Sequence, residues 1–371
     1  MQTTIPAPAE LRFAAYAPVN LEPKNTIGAK WERLLDALDL ASVVKDKRTA
    51  IKMHFGGGYG FSTIHPFFAR KLVEKVKAAG AAEVFATDSA GAVREAAARG
   101  YTAETLGCQL VAVSGTADKY AYARPLAAPF KALTEIRVAG EIADAEALID
   151  FSHVKSHGAC GFGGAAKNLA MGCVGQRTRR ALHSLEGGLV WDGAACTRCR
   201  VCLENCPNHA ISLRDNKIEV FFHNCKYCQH CALICPHQAI RIEGGGFRDF
   251  QKGMALATAA VLEPFRQESR ALFINVLMDI TVFCDCWGMT TPALVPDLGI
   301  LAGRDIVAVE QASLDLIRTE DLIPGALPRG WELRPGNHLF ERIHGKDPYA
   351  GVNALAECGL GRPEYVLRPV A

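Results

Sequence analysis

Two stretches near the middle of the chain concentrate its sulfur chemistry. "CTRCRVCLENCP" runs from Cys196 to Pro207 and "CKYCQHCALICP" from Cys225 to Pro236, and together they hold eight of the fourteen cysteines. Cysteines at this density serve disulfides, zinc or iron-sulfur clusters, and spacing separates the three. Structural zinc takes its four tetrahedral ligands as separated pairs. Here each run has three cysteines separated by two residues, then a fourth after three more, then a proline. Three thiols from one tight turn plus one at a distance is the ligand grouping of a [4Fe-4S] cube, not of zinc.

The spacing C-x2-C-x2-C-x3-C-P resembles the run of the bacterial two-cluster ferredoxins, in which the fourth cysteine ligates the other cube. That resemblance implies crossed wiring. Cys196, Cys199, Cys202 and Cys235 would hold one [4Fe-4S] cluster, and Cys225, Cys228, Cys231 and Cys206 the second. The two runs also form an internal repeat with an offset of 29 residues, in which Pro207, Ala210 and Ile211 recur as Pro236, Ala239 and Ile240. The proline turns the chain out of the run. "AISL" and "AIRI" then follow as short strands that pack an isoleucine near each cluster. A pseudo-twofold α+β module of ferredoxin type is expected over residues 192–243.

A module of that size leaves roughly 320 residues that must position something else. Upstream, "TAIKMHF" (49–55) has the apolar pattern of a strand ending at a Gly-rich turn, and "IHPFFARKLVEKVKAAG" that of an amphipathic helix stopped by Gly80. Strand "AEVFATD", helix "AVREAAARG", and strands "CQLVAVS" and "AEALIDFS" continue the alternation. Downstream, "FQKGMALATAAVLEP" is expected as a helix, "ALFINVLM" and "DIVAVE" as strands, and "QASLDLIRTE" as a helix. Alternation of this kind implies an α/β fold with a largely parallel sheet flanked by helices. Because strands lie on both sides of the cysteine runs, residues 1–191 and 244–371 are expected to form one α/β domain, with the module inserted and "EGGGF" (243–247) as its exit hinge.

Open α/β sheets bind ligands beyond the carboxyl ends of their strands. The polar residues of this chain collect there: Lys52 and His54 after the first strand, Asp88 after the second, and "HVKSHGACGFGGAAKNLAMG" after the strand ending at residue 152. In that segment Gly161, Gly163 and Gly164 permit close backbone approach, and the helix "AAKNLAMG" begins just behind them, so its amides and dipole suit an anion. Lys155, His157 and Lys167 add donors, with Asn168 on the helix. The same pattern also fits a plain glycine-rich turn with solvated lysines. Later in the chain, "FCDCWG" places Cys284 and Cys286 in a Cys-x-Cys pair. On an extended segment both thiols would face one side and could coordinate a metal or engage a redox partner; the plainer reading is a buried pair of small apolar side chains.

Composition removes several function classes. The chain has 371 residues with 49% hydrophobic and 22% charged side chains, enough for a sizeable core in two or three domains. Lysine plus arginine (41) nearly balances aspartate plus glutamate (39), so a net charge of +2 gives no global field for nucleic acid. The amino-terminal segment lacks the basic start and apolar stretch of a signal peptide, which leaves the cytoplasm as the expected location. The most apolar stretch, "ALFINVLMDITVFCDCWG", is broken by Asn275, Asp279 and Asp285, so no membrane span is expected. "GGGYG" lacks the Lys-Ser/Thr of a P-loop, and no G-x-G-x-x-G opens a helix after a strand, so a nucleotide has no positive support.

"IKMHFGG", "HVKSHGACGFGGAAKNLAMGC", the paired cysteine runs, "DITVFCDC" and "VPDLGILAGRDIVAVEQASLDLI" together resemble the iron-sulfur center proteins of the domain of unknown function 362 family, over about residues 45–365. The resemblance implies an α/β domain interrupted by a two-cluster ferredoxin. It points to His54, Asp88, His153, Lys155, His157, Lys167, Asn168, Cys173, Cys284 and Cys286 as site positions. The expected function is that of an iron-sulfur oxidoreductase. In it two clusters relay electrons from a donor or acceptor protein to an anionic small molecule or cofactor, with Lys155, His157, Lys167 and His54 as the reacting groups and histidine as proton donor. Gly161, Gly163, Gly164, Asn168 and Asp88, with Cys284 and Cys286, would bind the ligand or a third metal. The alternatives are an electron carrier without its own catalysis and a cluster-bearing assembly or sensor protein. Concentration of Lys, His and Gly at strand ends distinguishes the enzyme, since a carrier needs none of it.

Overall fold

Buried, β-branched segments separated by amphipathic helices have one efficient packing, a central sheet covered on both faces. The computed structural model describes residues 7–221, 225, 228–266 and 268–370. Ahead of the cysteine runs its strands are β1 (Ala9–Ala15), β2 (Arg48–Lys52), β3 (Glu83–Asp88), β4 (Gln109–Ala112), β5 (Ala121–Phe130), β6 (Leu133–Ala139), β7 (Ala147–His153), β8 (Lys155–His157), β9 (Gly161–Gly163) and β10 (Gly188–Trp191). Within and after the runs come β11 (Ile211–Arg214), β12 (Lys217–Val220), β13 (Ile240–Glu243), β14 (Ala271–Leu277), β15 (Gly299–Gly303) and β16 (Tyr365–Pro369).

Eight of these strands form one sheet in the order β16-β1-β15-β14-β7-β2-β3-β4. Only β15 runs antiparallel to its neighbours, β1 and β14; the other five pairings are parallel. The fold is therefore α/β with a largely parallel sheet, as the alternating segments required. Strands from both sides of the cysteine runs share this sheet, with β14 lying directly against β7.

Alternation along each strand splits the core in two. Leu148 on β7 and Phe273 on β14 face one cluster, which includes helix Phe247–Arg266 and helix Ile306–Asp315. Ile149 and Phe151 on β7 and Ile274 on β14 face the other, with Trp31, Leu34, Phe68 and Leu72 from the helices of the opposite layer. Trp31 stacks on Phe151 at 5.7 Å. Adjacent residues of a strand thus serve different layers, which is why β7 is buried along its whole length.

The small strands stand outside the main sheet. β10 pairs with β13 and β11 with β12, both antiparallel. The 29-residue repeat is carried into backbone detail: helices Val201–Glu204 and His230–Leu233 have Arg200 and Gln229 as left-handed caps, and His209 and Gln238 are left-handed too. Such φ values are costly for residues with a side chain, and their recurrence at the same offset marks a repeated shape. Strand β10 precedes residue 192, so a boundary drawn there separates it from its partner β13. The entering and leaving chains meet at two glycines. A Cβ on Gly187 would come within 2.6 Å of Glu243 O, and one on Gly245 within 2.4 Å of Leu185 O. Gly246 N–H donates to Leu185 O at 3.0 Å, closing the neck.

The elements that differ from the sequence expectation include a helix and a hairpin. "DIVAVE" is not a strand but the start of helix Ile306–Asp315; the strand is the preceding "GILAG" of β15. A short, fully apolar run does not separate a buried helix from a strand by periodicity. The deciding signal is Asp305, whose carboxylate accepts from Val307 N–H (2.9 Å) and Ala308 N–H (3.0 Å) as an N-cap. The hairpin of β5 and β6 was not foreseen: β5 is mostly exposed and carries two prolines, so it lacks a buried face to read.

Candidate functional site

Parallel strands deliver their carboxyl ends to one edge, and the chain's polar residues meet there. A cavity of ≈ 890 Å³ opens at this edge, lined among others by Lys52, His54, Asp88, His157, Lys167, Asn168, Gly163, Gly164, Cys284 and Cys286. The expected convergence is thus largely present, but Lys155, Gly161 and the buried Cys173 do not line the cavity.

On one wall, β2 and β3 build an ion-pair cluster. Lys52 Nζ donates to Met53 O (2.8 Å), Asp88 Oδ1 (3.1 Å) and Asn168 Oδ1 (2.6 Å), and is fully buried. Asp88 Oδ2 accepts from Phe55 N–H at 3.1 Å and lies 2.8 Å from His54 Nδ1. Burial alone would raise the Asp88 carboxyl; the Lys52 ammonium and His54 overcome it and hold Asp88 well below the usual carboxylate range. With Nδ1 engaged by Asp88, His54 Nε2 is left without a partner on the cavity wall. A histidine oriented by a carboxylate, with its other nitrogen buried and unpartnered beside a cavity, is equipped for proton transfer.

The opposite wall carries the Cys-x-Cys pair. It is not extended: Cys284 caps a 3-10 turn, Asp285–Trp287, that folds both sulfurs toward Lys167. Lys167 Nζ lies 3.5 Å from Cys284 Sγ and 3.4 Å from Cys286 Sγ. His157 Nε2 lies 3.4 Å from Cys286 Sγ, and its Nδ1 accepts N–H bonds from Ala159 and Cys160, each 3.1 Å. Burial, followed by the neighbouring cations, pushes His157 well below its ordinary value, so the ring is neutral. A hydrogen bond from Cys286 outweighs burial and, with the Lys167 ammonium, pulls the Cys284 thiol well down; the same shared proton pushes Cys286 well up. The pair titrates as a unit.

Lys155 and Gly161 do not reach the cavity, contrary to expectation. The Lys155 side chain is fully buried and its three N–H bonds go to Ser62 O (2.8 Å), Ser62 Oγ (2.9 Å) and Asp279 O (2.7 Å). Asp285 Oδ1 lies 3.2 Å away, and Asp285 Oδ2 sits 3.1 Å from His153 Nδ1. Lys155 therefore holds the underside of the Cys-x-Cys turn and is a positioning residue. Gly161 faces away, toward Phe247 and Pro348; its φ of 78° explains the glycine without any ligand.

The helix amino terminus expected to take an anion is also spoken for. Glu310 Oε1 accepts from Ala165 N–H at 2.7 Å and from Asn275 Nδ2 at 3.1 Å. A Cβ on Gly164 would come within 2.4 Å of that same oxygen, so the glycine makes room for a carboxylate of the protein. Burial pushes Glu310 up to about 7. Cationic groups for an anion come instead from the cavity mouth, where Arg94 and Arg180 are exposed and, among the described residues, have no hydrogen-bond or ion-pair partner. These arginines were not singled out by sequence, since nothing in "AVREAAARG" or "GQRTRR" separates them from solvated helix charges.

The eight cysteines of the two runs gather as two groups of four. Cys196, Cys199, Cys202 and Cys235 line one small cavity with Ile240; Cys206, Cys225, Cys228 and Cys231 line another with Ile211. The fourth cysteine of each run has crossed to the other group. Ala210 N–H donates to Cys206 Sγ and Ala239 N–H to Cys235 Sγ, each at 3.2 Å. Burial and the crowding of like thiols push Cys231 up to about 12 and Cys228 up to about 11. Two groups of four cysteines, each with a backbone N–H bond to one sulfur, suit the binding of a metal or cluster.

The second group adjoins the large cavity. Cys225 lines both. A Cβ on Gly158, in the turn between β8 and β9, would lie 2.6 Å from Cys228 Cβ and 3.6 Å from Trp287 Cζ2, so the glycine lets the cysteine loop pack directly on the Cys-x-Cys turn. Lys346 Nζ ties them further, donating to Gly158 O (2.6 Å) and lying 3.4 Å from Cys228 O. Lys346 and Trp287 were missed by sequence, because their roles depend on this contact alone.

No helix among the described residues is long and apolar enough to cross a membrane. A search of curated proteins finds no match. Among solved structures, the lactate racemase apoprotein from Thermoanaerobacterium thermosaccharolyticum aligns with 73% of this chain at 14% identity and a TM-score of 0.34. The aligned part spans about half (51%) of that protein. The family model for the domain of unknown function 362 matches residues 49–315, across six of the eight strands of the main sheet, both cysteine runs and the Cys-x-Cys turn, and the chain belongs to that family.

Proposed function

We propose that this protein is an iron-sulfur oxidoreductase that acts on an anionic small molecule in the cavity at the sheet edge. In this reading Cys196, Cys199, Cys202 and Cys235 hold one [4Fe-4S] cluster, and Cys206, Cys225, Cys228 and Cys231 the other. Such clusters supply single electrons at potentials set by their hydrogen bonds and burial. The observation that carries the reading is the sorting of eight cysteines into two crossed groups of four, one of which shares Cys225 with the cavity wall.

The chain's own residues account for the rest. Arg94 and Arg180 draw an anion to the mouth. His54, oriented by Asp88, presents Nε2 to the bound molecule and exchanges a proton there. Lys52 keeps Asp88 ionised and so keeps the histidine oriented. The unpartnered His54 nitrogen favours an enzyme over a carrier, because a docking surface gains nothing from a buried, unsatisfied base.

Anaerobically purified protein should be brown and carry roughly eight irons and eight sulfides per chain. Cys206→Ser should disturb the cluster of Cys225, Cys228 and Cys231, leaving the electron paramagnetic resonance signal of the other in place. A colourless protein with stoichiometric zinc, or loss of the Cys196 cluster on substituting Cys206, would overturn the proposal.

A further inference from the structure

Cys284 and Cys286 stand apart from the eight cysteines above. Their sulfurs lie within 4.8 Å of each other. The Lys167 ammonium lies against both, at 3.5 and 3.4 Å. Both line the cavity, Cys286 exposed and Cys284 buried.

The sulfurs and His157 lie within 4.8 Å of one another, a spacing that a metal ion can span. Two features oppose that use. His157 Nδ1 already accepts two backbone N–H bonds, so the neutral ring carries its proton on Nε2, the atom a metal would need. The position between the sulfurs is also served by a cation of the chain, Lys167. What remains is a pair of thiols with a fixed positive charge and an N–H donor, the surroundings of a reactive dithiol.

We infer that Cys284 and Cys286 form a redox-active dithiol that reduces a small anionic disulfide by thiol-disulfide exchange, with Cys286 as the entering sulfur and Cys284 as the resolving one. With the pair holding one proton between them, Cys286 Sγ bonds to one sulfur of the substrate as that proton passes to Cys284, whose sulfur lies within 4.8 Å, and the substrate S–S bond breaks. The expelled thiolate takes that proton from Cys284. Cys284 then attacks Cys286 Sγ, closing the intramolecular disulfide and releasing the second product as a thiolate. One disulfide is consumed, one is formed, and the single shared proton leaves on a product. Lys167 stabilises each thiolate in turn. Substrate charge is set by Arg94 and Arg180 at the mouth. Reopening the disulfide takes two electrons and one proton; the electrons would arrive singly from iron-sulfur clusters, and this step alone rests on the function proposed above.

The test uses anaerobic, reduced full-length protein, with glutathione disulfide as probe, iodoacetamide to trap free thiols, and peptide mass analysis. Wild-type protein should lose two hydrogens across Cys284 and Cys286, release two glutathiones and retain no adduct there. Cys284→Ser should stop at a mixed disulfide on Cys286. Lys167→Met should slow the reaction about threefold for each unit by which the thiol pKa rises above the assay pH, since a tenfold loss of thiolate is partly offset by greater nucleophilicity. A persistent glutathione adduct in the wild type, the absence of any reaction at these two residues, or a stoichiometric metal released from them would overturn the inference. Iron and sulfide are assayed on the same sample. Link formation in iron-free protein would refute the cluster proposal and leave the dithiol standing, whereas iron-replete protein without the link refutes the dithiol alone.

Discussion

Replacing Lys155 with methionine separates a catalytic role from the positioning role that its burial implies. The side chain is fully buried and is the ammonium partner of Asp285, whose carboxylate is itself buried and otherwise faces His153. Burial would raise the Asp285 carboxyl, yet Lys155 and His153 hold it well below its usual range. Removing one member of a buried pair leaves an uncompensated charge and costs about 3–5 kcal/mol. For a chain of 371 residues, an unfolding entropy near 2.1 cal/mol/K per residue converts that loss into a melting temperature lower by roughly 4–6 °C. The sign with pH is fixed by the same pair. A depressed carboxyl contributes stability that is present above its unfolded pKa, near 3.9, and is lost as pH falls through the folded value. In Lys155→Met the depressing ammonium is gone, so Asp285 takes up a proton at higher pH and the deficit against wild type narrows on acidification from pH 7. Asp285→Asn in the Lys155→Met background should recover part of the loss, giving a favourable coupling in a double-mutant cycle. Urea unfolding at pH 7 and pH 5, followed by circular dichroism, measures all four proteins. A variant as stable as wild type, or a deficit that Asp285→Asn does not reduce, would refute the pairing argument.

Glu310→Gln should gain stability relative to wild type as pH rises. A carboxyl pushed up to about 7 holds its proton in the folded state over a range where the unfolded chain has lost it, so wild-type stability falls between about pH 4.3 and 7. The amide keeps the acceptor for Ala165 N–H without that penalty; the advantage should approach about 3 kcal/mol at pH 8 and fade by pH 5, with parallel urea curves as the refuting outcome. Excising residues 188–245 and joining the ends at the glycine neck should leave a cooperatively melting α/β unit, because β14 pairs with β7 and not with the small strands. A cut at 192 leaves β10 without β13 and should give a less soluble product, as judged by gel filtration. Gly158→Ala should weaken the contact between the Cys228 loop and Trp287, since its methyl would meet Cys228 Cβ at 2.6 Å; limited proteolysis near residue 228 should accelerate while the main sheet keeps its melting temperature.

The sequence by itself determined the features that depend on local order. Apolar alternation set the α/β class, and parallel strands carry their ends to one edge, so His54, Asp88 and Lys167 were bound to approach each other. The 29-residue repeat likewise appears unchanged in the left-handed caps at Arg200 and Gln229, because φ preferences and turn lengths act within a few residues. The tertiary structure decided whatever depended on which charged group would be covered. Lys155 and Lys167 look alike in sequence, yet one is spent beneath a turn and the other faces two sulfurs, because β8 and helix Ala165–Gly172 present different faces to the Cys-x-Cys turn. The glycine-rich helix start that suggested an anion site receives Glu310 from 145 residues away. Likewise, the contact of Gly158 with Cys228 joins two segments whose meeting no periodicity encodes. Burial is a property of the assembled layers, and burial decides which of these polar groups is structural and which is left free to react.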